Sequence, residues 1–253
     1  MNSDNRTAGD YYARLLHSSK YKESRKEKAE VVLHVVGEQL HRADQVADIG
    51  AGTGMMKKEL EIKTGKTIVG IEIDRHTILD VDRMIVADGC QLPVRTGQMD
   101  VALLNHVYEH ANDVTALFAE TWRVLRPGGV AYVSAGNRWA VMEPHYRLPF
   151  LSWLPRGVAH TYLRLTRRGT SYEGIHFLGR RSLVEIMTKT GFQVRDVTEF
   201  ALEGLRSPLH GKGWELLWGT LRHFPGTIRR LILKGSPQWF FLLEREKDGT
   251  MDH

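Results

Sequence analysis

Gln45-Val46-Ala47-Asp48-Ile49-Gly50-Ala51-Gly52-Thr53-Gly54 is the stretch that decides the reading of this chain: a short apolar run passes straight into three alternating glycines. Glycine reaches positive φ at no steric cost and lets a ligand approach the backbone, so the pattern predicts a strand, a tight turn and a helix start around a nucleotide-type group. An ordinary tight turn would use the same residues. The dinucleotide fingerprint G-x-G-x-x-G is not met, because Met55 stands where its last glycine would be. Asp48, just ahead of the glycines, suits a ligand bearing an ammonium group better than one bearing pyrophosphate.

Outward from the loop, strands and helices alternate. Val46-Ile49 reads as strand and Met55-Thr64 as helix, followed by strands at Thr67-Ile73, Ile85-Ala87 and Val101-Asn105. Val114, Leu117, Phe118, Trp122 and Leu125 mark a helical face that stops at Arg126-Pro127-Gly128-Gly129, ahead of a strand at Val130-Ala135. Arg180-Thr190 reads as helix, Phe192-Phe200 as strand and Gln238-Arg245 as a buried last strand. Upstream, Ala29, Val32, Leu33, Val36 and Leu40 recur at helical spacing within a helical segment expected in residues 1–44. This alternation predicts an α/β fold with a doubly wound, mostly parallel seven-stranded sheet and helices on both faces. Two stretches, about 136–178 and 202–236, break the rhythm and read as insertions.

At 253 residues and 42% hydrophobic, the chain suits a single domain, 1–253, with a substantial core. Its one cysteine, Cys90, excludes an intramolecular disulfide framework, and no Cys/His cluster or H-E-x-x-H spacing points to a metal. Met1 to Asp10 lacks the apolar core of a signal peptide, and no run reaches the roughly 18 apolar residues of a spanning helix. The expectation is a cytoplasmic protein. A formal charge of +5 permits anionic partners without requiring them.

The glycine loop resembles the first motif of the class I S-adenosylmethionine-dependent methyltransferases, of the methyltransferase type 11 kind. Glu109-His110 and Leu125-Arg126-Pro127-Gly128-Gly129 match patterns common in that family. The likeness covers about residues 25 to 135 and returns at the Gly191-Phe192 turn and the final strands, with the motifs in order. It implies a Rossmann-like fold and S-adenosyl-L-methionine as cofactor, held by Asp48, Gly50, Ala51, Gly52 and Gly54 at the loop. Glu72, about 20 residues on, aligns with the family's ribose acid, with Ile73 beside it. Asp74, on the same face of that strand, is the rival on position alone. Asp88 and Gly89 align with the adenine segment, and Asn105 with the side that faces the methionine portion.

The first insertion opens with Glu143-Pro144-His145, a triplet resembling a subset of bacterial methyltransferases associated with surface glycans and secondary metabolites. That resemblance implies a small-molecule, sugar or lipid-linked acceptor, methylated at a hydroxyl. His145 is the first candidate for general base, with Glu143 to orient it, and His110 and His176 are the others. Glu143, Tyr146 and Tyr172 are the residues expected to contact the acceptor. Each histidine also has the plainer reading of a packing or capping residue.

Arg138, Arg147, Arg156, Arg164, Arg167 and Arg168, continuing to Arg180 and Arg181, give the insertion a positive excess that suits an anionic acceptor; a solvated helix face is the alternative. Trp153 with the leucines around it, and Trp214, Leu217, Trp218 and Leu221 further on, read either as a core face or as a peripheral membrane contact. Two other functions fit the fold: methylation of RNA or another nucleic acid, and a catalytically silent binding protein. Asn105-His106-Val107-Tyr108 lacks the Asn/Asp-Pro-Pro-aromatic signature of amino-group methylation, and no RNA-binding module is evident, which weighs against nucleic acid. No obligate protein partner is indicated.

Overall fold

The computed structural model describes residues 18–204, 219–221 and 223–247. Trp214, Leu216, Leu217, Trp218 and Arg222 of the expected second insertion lie outside the described residues. The sheet consists of β1 (Val46–Ile49), β2 (Ile68–Glu72), β3 (Met84–Val86), β4 (Met99–Asn105), β5 (Leu125–Gly136), β6 (Phe192–Asp196) and β7 (Gln238–Arg245). Its order is β3-β2-β1-β4-β5-β7-β6. All pairings are parallel except those of β7, which runs antiparallel to both β5 and β6. The mostly parallel seven-stranded α/β sheet expected from the sequence is therefore present.

The helices are α1 (Ser19–Arg42), α2 (Met55–Thr64), α3 (Val114–Val124), α4 (Arg156–Leu165), α5 (Arg180–Lys189), α6 (Thr198–Gly204) and α7 (Gly226–Leu233). They cover both faces of the sheet because its strands are buried on both faces. Ala47 and Ile49 belong to one core cluster, with Leu117, Phe118 and Leu183 from α3 and α5. Val46 belongs to the other, with Val32, Val36 and Leu60 from α1 and α2. Side chains alternate along a strand, so Asp48 shares the face of Val46 and points under α1 and α2.

Two elements differ from the sequence reading. The strand expected over Phe192-Phe200 ends at Asp196, because Asp196 Oδ1 accepts from Thr198 N at 2.9 Å and so starts α6. Helix α1 starts well before the apolar repeat, at Ser19, where Ser18 caps it by accepting from Tyr21 N.

The first insertion leaves the sheet at the end of β5 and returns at α5. Its own small core joins Leu148, Leu151, Ala159, Leu163 and Tyr172. Tyr108, 1% exposed, holds both ends of it: its hydroxyl donates to Gly136 O and accepts from Leu178 N at 3.2 Å. Tyr108→Phe is expected to lower stability by about 1–3 kcal/mol, since two buried backbone groups lose their partner. Chemical denaturation measures this, and an unchanged midpoint would show that the clamp contributes nothing.

Candidate active site

The glycine loop joins β1 to α2. Gly50, Gly52 and Gly54 have φ of +69°, +55° and +78°. A Cβ on Gly50 would lie 2.6 Å from Val107 Cγ2, whereas one on Gly52 would meet nothing within 4 Å. Gly50 is therefore glycine for packing, and Gly52 for its backbone conformation at an open face. The loop is pinned to β2: Gly50 N and Ala51 N donate to Ile71 O at 2.8 and 3.0 Å, and Gly52 N donates to Glu72 Oε2 at 2.7 Å. Glu72 Oε1 accepts from Asp74 N at 3.1 Å, so this carboxylate is fixed by backbone on both sides while each oxygen keeps a free lone pair. Asp74 accepts from His76 N, capping the short turn after β2.

A cavity of about 490 Å³ runs along the carboxyl ends of the strands. Gly50, Gly52, Glu72, Ile73 and Asp74 line one end, Asp88, Gly89 and Cys90 its side, and Asn105, His106 and His110 the other end. Ile73, 59% exposed, offers an apolar face beside Glu72. Asp88 Oδ1 accepts from Cys90 N at 2.8 Å, which orients its carboxylate. Asn105 Nδ2 lies 3.1 Å from Met56 Sδ. Of the loop and cofactor residues expected from the sequence, Asp48, Ala51 and Gly54 stand behind this wall and do not line it.

The roof comes from α1, which sequence reasoning treated only as a packing helix. Tyr21, Arg25 and Lys28 line the cavity. Tyr21 Oη is hydrogen-bonded to Thr53 Oγ1 at 3.1 Å, and the Arg25 guanidinium lies over the Tyr21 ring, 4.7 Å from its centroid. The available signal was the polar face of α1, which an apolar periodicity search passes over.

Beneath the loop, Asp48 is 1% exposed and neither carboxylate oxygen has a hydrogen-bond partner. Burial pushes its carboxyl up to about 7, against the opposing charge of Lys57. Burial pushes the Lys28 ammonium the other way, down to about 7. These are groups of a site whose charges are incompletely compensated by protein.

His106 has φ +60°, a conformation uncommon outside glycine, and its Nδ1 lies 2.9 Å from Glu109 Oε1. Burial lowers the His106 pKa, so the ring is neutral at pH 7. Burial opposes ionisation of Glu109, but the His106 contact outweighs it and holds the carboxyl below its usual range. The carboxylate thus accepts a hydrogen bond from Nδ1–H and leaves Nε2 free to accept a proton. A second pair has the same form: His145 Nδ1 lies 2.9 Å from Glu143 Oε1, and Glu143 is fully buried with Oε2 accepting from Tyr146 N at 2.6 Å.

The His110 ring packs edge-on against His145, centroids 5.3 Å apart, and its Nδ1 is 3.1 Å from Gly174 O. His110 and His145 are thus brought together beside His106. His176 is tied to Glu109 O through its backbone, but Arg156 donates to its Nδ1. Tyr146 and Tyr172 pack on each other, ring centroids 5.8 Å apart, in the insertion's own core and not on the cavity wall. None of the insertion's arginines, nor Arg180 or Arg181, lines this cavity; Arg164 donates to Thr170 O and Arg180 pairs with Asp196 at 2.6 Å.

Residues 47–133 match the family model described as "Methyltransferase domain". The chain is 30% identical over 138 residues to a ubiquinone biosynthesis O-methyltransferase of Brucella ovis, covering 47% of this chain and 53% of that protein. It spans about half the length of the curated relatives it matches. Among solved structures, a Galdieria sulphuraria protein provisionally described as a sarcosine dimethylglycine methyltransferase superposes with a TM-score of 0.56 at 13% identity, covering 94% of this chain and 98% of that one. A provisionally described methyltransferase solved with the Haloferax volcanii Trm112 methyltransferase activator gives 0.54 at 14% identity, covering 97% and 100%. The fold is that of the class I methyltransferases, and the segment similar to their methyltransferase domain begins at the glycine loop.

The residues present fit the cofactor of that class. The loop has an open face at Gly52, Glu72 offers two oriented acceptors, and Arg25 and Lys28 face the cavity as cations. Asp48→Asn tests the buried charge below the loop. With a folded pKa near 7 and an ordinary value of about 3.9, wild-type stability is full below about pH 4 and falls as pH rises through 7. The variant is expected to be more stable than wild type at pH 8, by on the order of a few kcal/mol, with the difference shrinking toward pH 5. Thermal melts across that range measure it; a difference independent of pH would contradict the assignment.

Proposed function

We propose that this protein transfers a methyl group from S-adenosylmethionine to a hydroxyl of a small-molecule, sugar or lipid-linked acceptor. The observation that carries this reading is the single cavity joining Glu72 and the open glycine loop to Asn105 and His106. Glu72 is placed to accept from the ribose hydroxyls, Asp88 from the adenine amine, and Arg25 to meet the methionine carboxylate. The bound cofactor supplies a methyl group on a sulfonium, already a good leaving group. The protein's work is then to align acceptor, methyl carbon and sulfur, to exclude water, and to take the acceptor's proton.

Hydroxyl acceptance is supported by the O-methyltransferase names of the curated relatives and by the two His–Glu pairs. An alcohol is too weakly acidic to react without a base, and a neutral imidazole whose Nδ1–H is held by a carboxylate is suited to that task. His145, the candidate from sequence, is joined by His106, which lines the cavity itself. Exposed Trp139, Phe150 and Trp153, with Arg138 over the Trp139 ring, give the insertion an amphiphilic face that supports a lipid-linked acceptor and peripheral contact with a membrane. Among the described residues no helix is long and apolar enough to cross a membrane.

Calorimetry with S-adenosylhomocysteine tests the cofactor half: Glu72→Ala is expected to weaken binding at least tenfold, and equal affinity would remove Glu72 as the ribose acid. His106→Asn and His145→Asn separate the bases in an acceptor screen that starts from sugar and lipid-linked hydroxyls. Loss of turnover on the order of 10²-fold or more, with cofactor affinity kept, identifies the base. Unaltered rates in both variants would contradict base catalysis by either histidine.

A further inference from the structure

A second cavity, about 450 Å³, adjoins the first and shares Asn105 and Lys28 with it. Its wall otherwise differs: Lys20, Ser24 and Glu27 come from α1, Tyr132 from β5, Gln238 from β7, and Arg147 from the first insertion. Asn105 ends β4, at the end of the first cavity that is remote from Glu72 and Ile73. This second space therefore adjoins the Asn105 end of the cofactor cavity, where an acceptor has to sit. That placement rests on the methyltransferase reading above.

The charge of this wall is lopsided. Lys20 and Arg147 bring two cations and Lys28 an amine that an anion would keep protonated, and no hydrogen bond or ion pair is formed by any of their side chains among the described residues. Glu27 is the acid among them; its Oε1 is buried without a partner, and burial together with Glu23 raises its pKa. Arg147 is held at φ +53°, in a turn whose backbone closes on Glu143 O at 2.9 Å. The turn that places Glu143 and His145 thus also directs the chain at Arg147, so base and cation belong to one rigid piece of the insertion. Ser24, Tyr132 and Gln238 add neutral polar groups, of which Gln238 Nε2 is held by Ser134 Oγ at 2.6 Å. A neutral sugar or quinol would leave the part-buried Lys28 and the cations of Lys20 and Arg147 at the mouth of the cavity unmatched, whereas an anionic group would pair with them.

We propose that this second cavity is the acceptor site and that it selects acceptors carrying an anionic group, a phosphate, diphosphate or carboxylate, held by Lys20 and Arg147 with Lys28 at the junction to the cofactor. The arginines at 164, 167 and 168, which the sequence offered for that role, are exposed residues at the end of α4 and line neither cavity. The anion lies on the α1 and insertion side, and the acceptor's reacting hydroxyl extends from it toward Asn105.

The test is calorimetry of inorganic pyrophosphate with the full chain, with and without S-adenosylhomocysteine, at constant ionic strength. Saturable binding is expected, weakened at least tenfold by Arg147→Ala and by Lys20→Ala, largely restored in Arg147→Lys, and unchanged in Arg164→Ala. The affinity for S-adenosylhomocysteine should be the same in all four variants, which also shows that they are folded. Absence of saturable pyrophosphate binding, or equal weakening by Arg164→Ala, would overturn the proposal. S-adenosylhomocysteine binding without pyrophosphate binding would sink the anion site alone. The converse, pyrophosphate binding that depends on Arg147 in a chain that ignores S-adenosylhomocysteine, would sink the cofactor reading and leave the anion site standing.

Discussion

The hydrogen bond from Gly52 N to Glu72 Oε2 is the interaction on which the rest of the site depends. It joins the glycine loop after β1 to the end of β2, and it is possible only because both parallel strands end at the same edge of the sheet. Three left-handed glycines turn the chain there, and the Ile71 carbonyl takes two of the loop's amides. Once the loop is fixed, α2 starts beneath it, Thr53 presents its hydroxyl to Tyr21, and α1 closes over the top. The same carboxylate that ties the loop also lines the cavity, so on the proposed reading loop geometry and ribose recognition are set by one side chain. A carboxylate held by two amides is pre-organised, and little ordering entropy remains to be lost when a ligand arrives.

Around that tie the protein keeps charges that it does not fully neutralise. Asp48 lies under the loop with two unpartnered oxygens, Lys28 lies over the cavity with its ammonium destabilised by burial, and Arg25 rests on Tyr21. Each is costly in a folded chain unless a ligand or a neighbour compensates it. A zwitterionic amino-acid moiety carrying a sulfonium brings both signs of charge, which is the complement such a site lacks. In the His106–Glu109 and His145–Glu143 pairs each buried carboxylate meets an imidazole, and Glu143 also accepts from Tyr146 N, whereas Glu109 Oε2 is buried without a partner.

The sheet was legible in the sequence because its strands are short apolar runs cut by turn residues, and because Gly50, Gly52, Gly54, Glu72 and Asp88 mark strand ends. The beginning of α1 was not. From Ser19 to Lys28 its cavity-lining residues are Lys20, Tyr21, Ser24, Arg25, Glu27 and Lys28, which are polar and so break the apolar repeat on which the helix reading relied. The strand drawn through Phe200 ran too far because Val197 and Phe200 continue a β-like composition, while the stop signal, an Asp196 side chain capping α6, is a local contact. His106 was passed over as a candidate base for a similar reason. Its place beside the cavity with Glu109 as partner comes from a positive φ and a residue three positions on, neither of which is a composition signal. Tyr146 and Tyr172 erred in the other direction: aromatic residues in an insertion suggest a binding face, but this insertion is large enough to need a core of its own.

The most direct test of the account is a crystal structure of the chain with S-adenosylhomocysteine. The ribose hydroxyls are expected on Glu72, the adenine beside Ile73 and Asp88, the amino-acid carboxylate at Arg25 of α1, and the sulfur toward Asn105 and His106. A ligand bound elsewhere, or one in this cavity with its ribose away from Glu72, would contradict it.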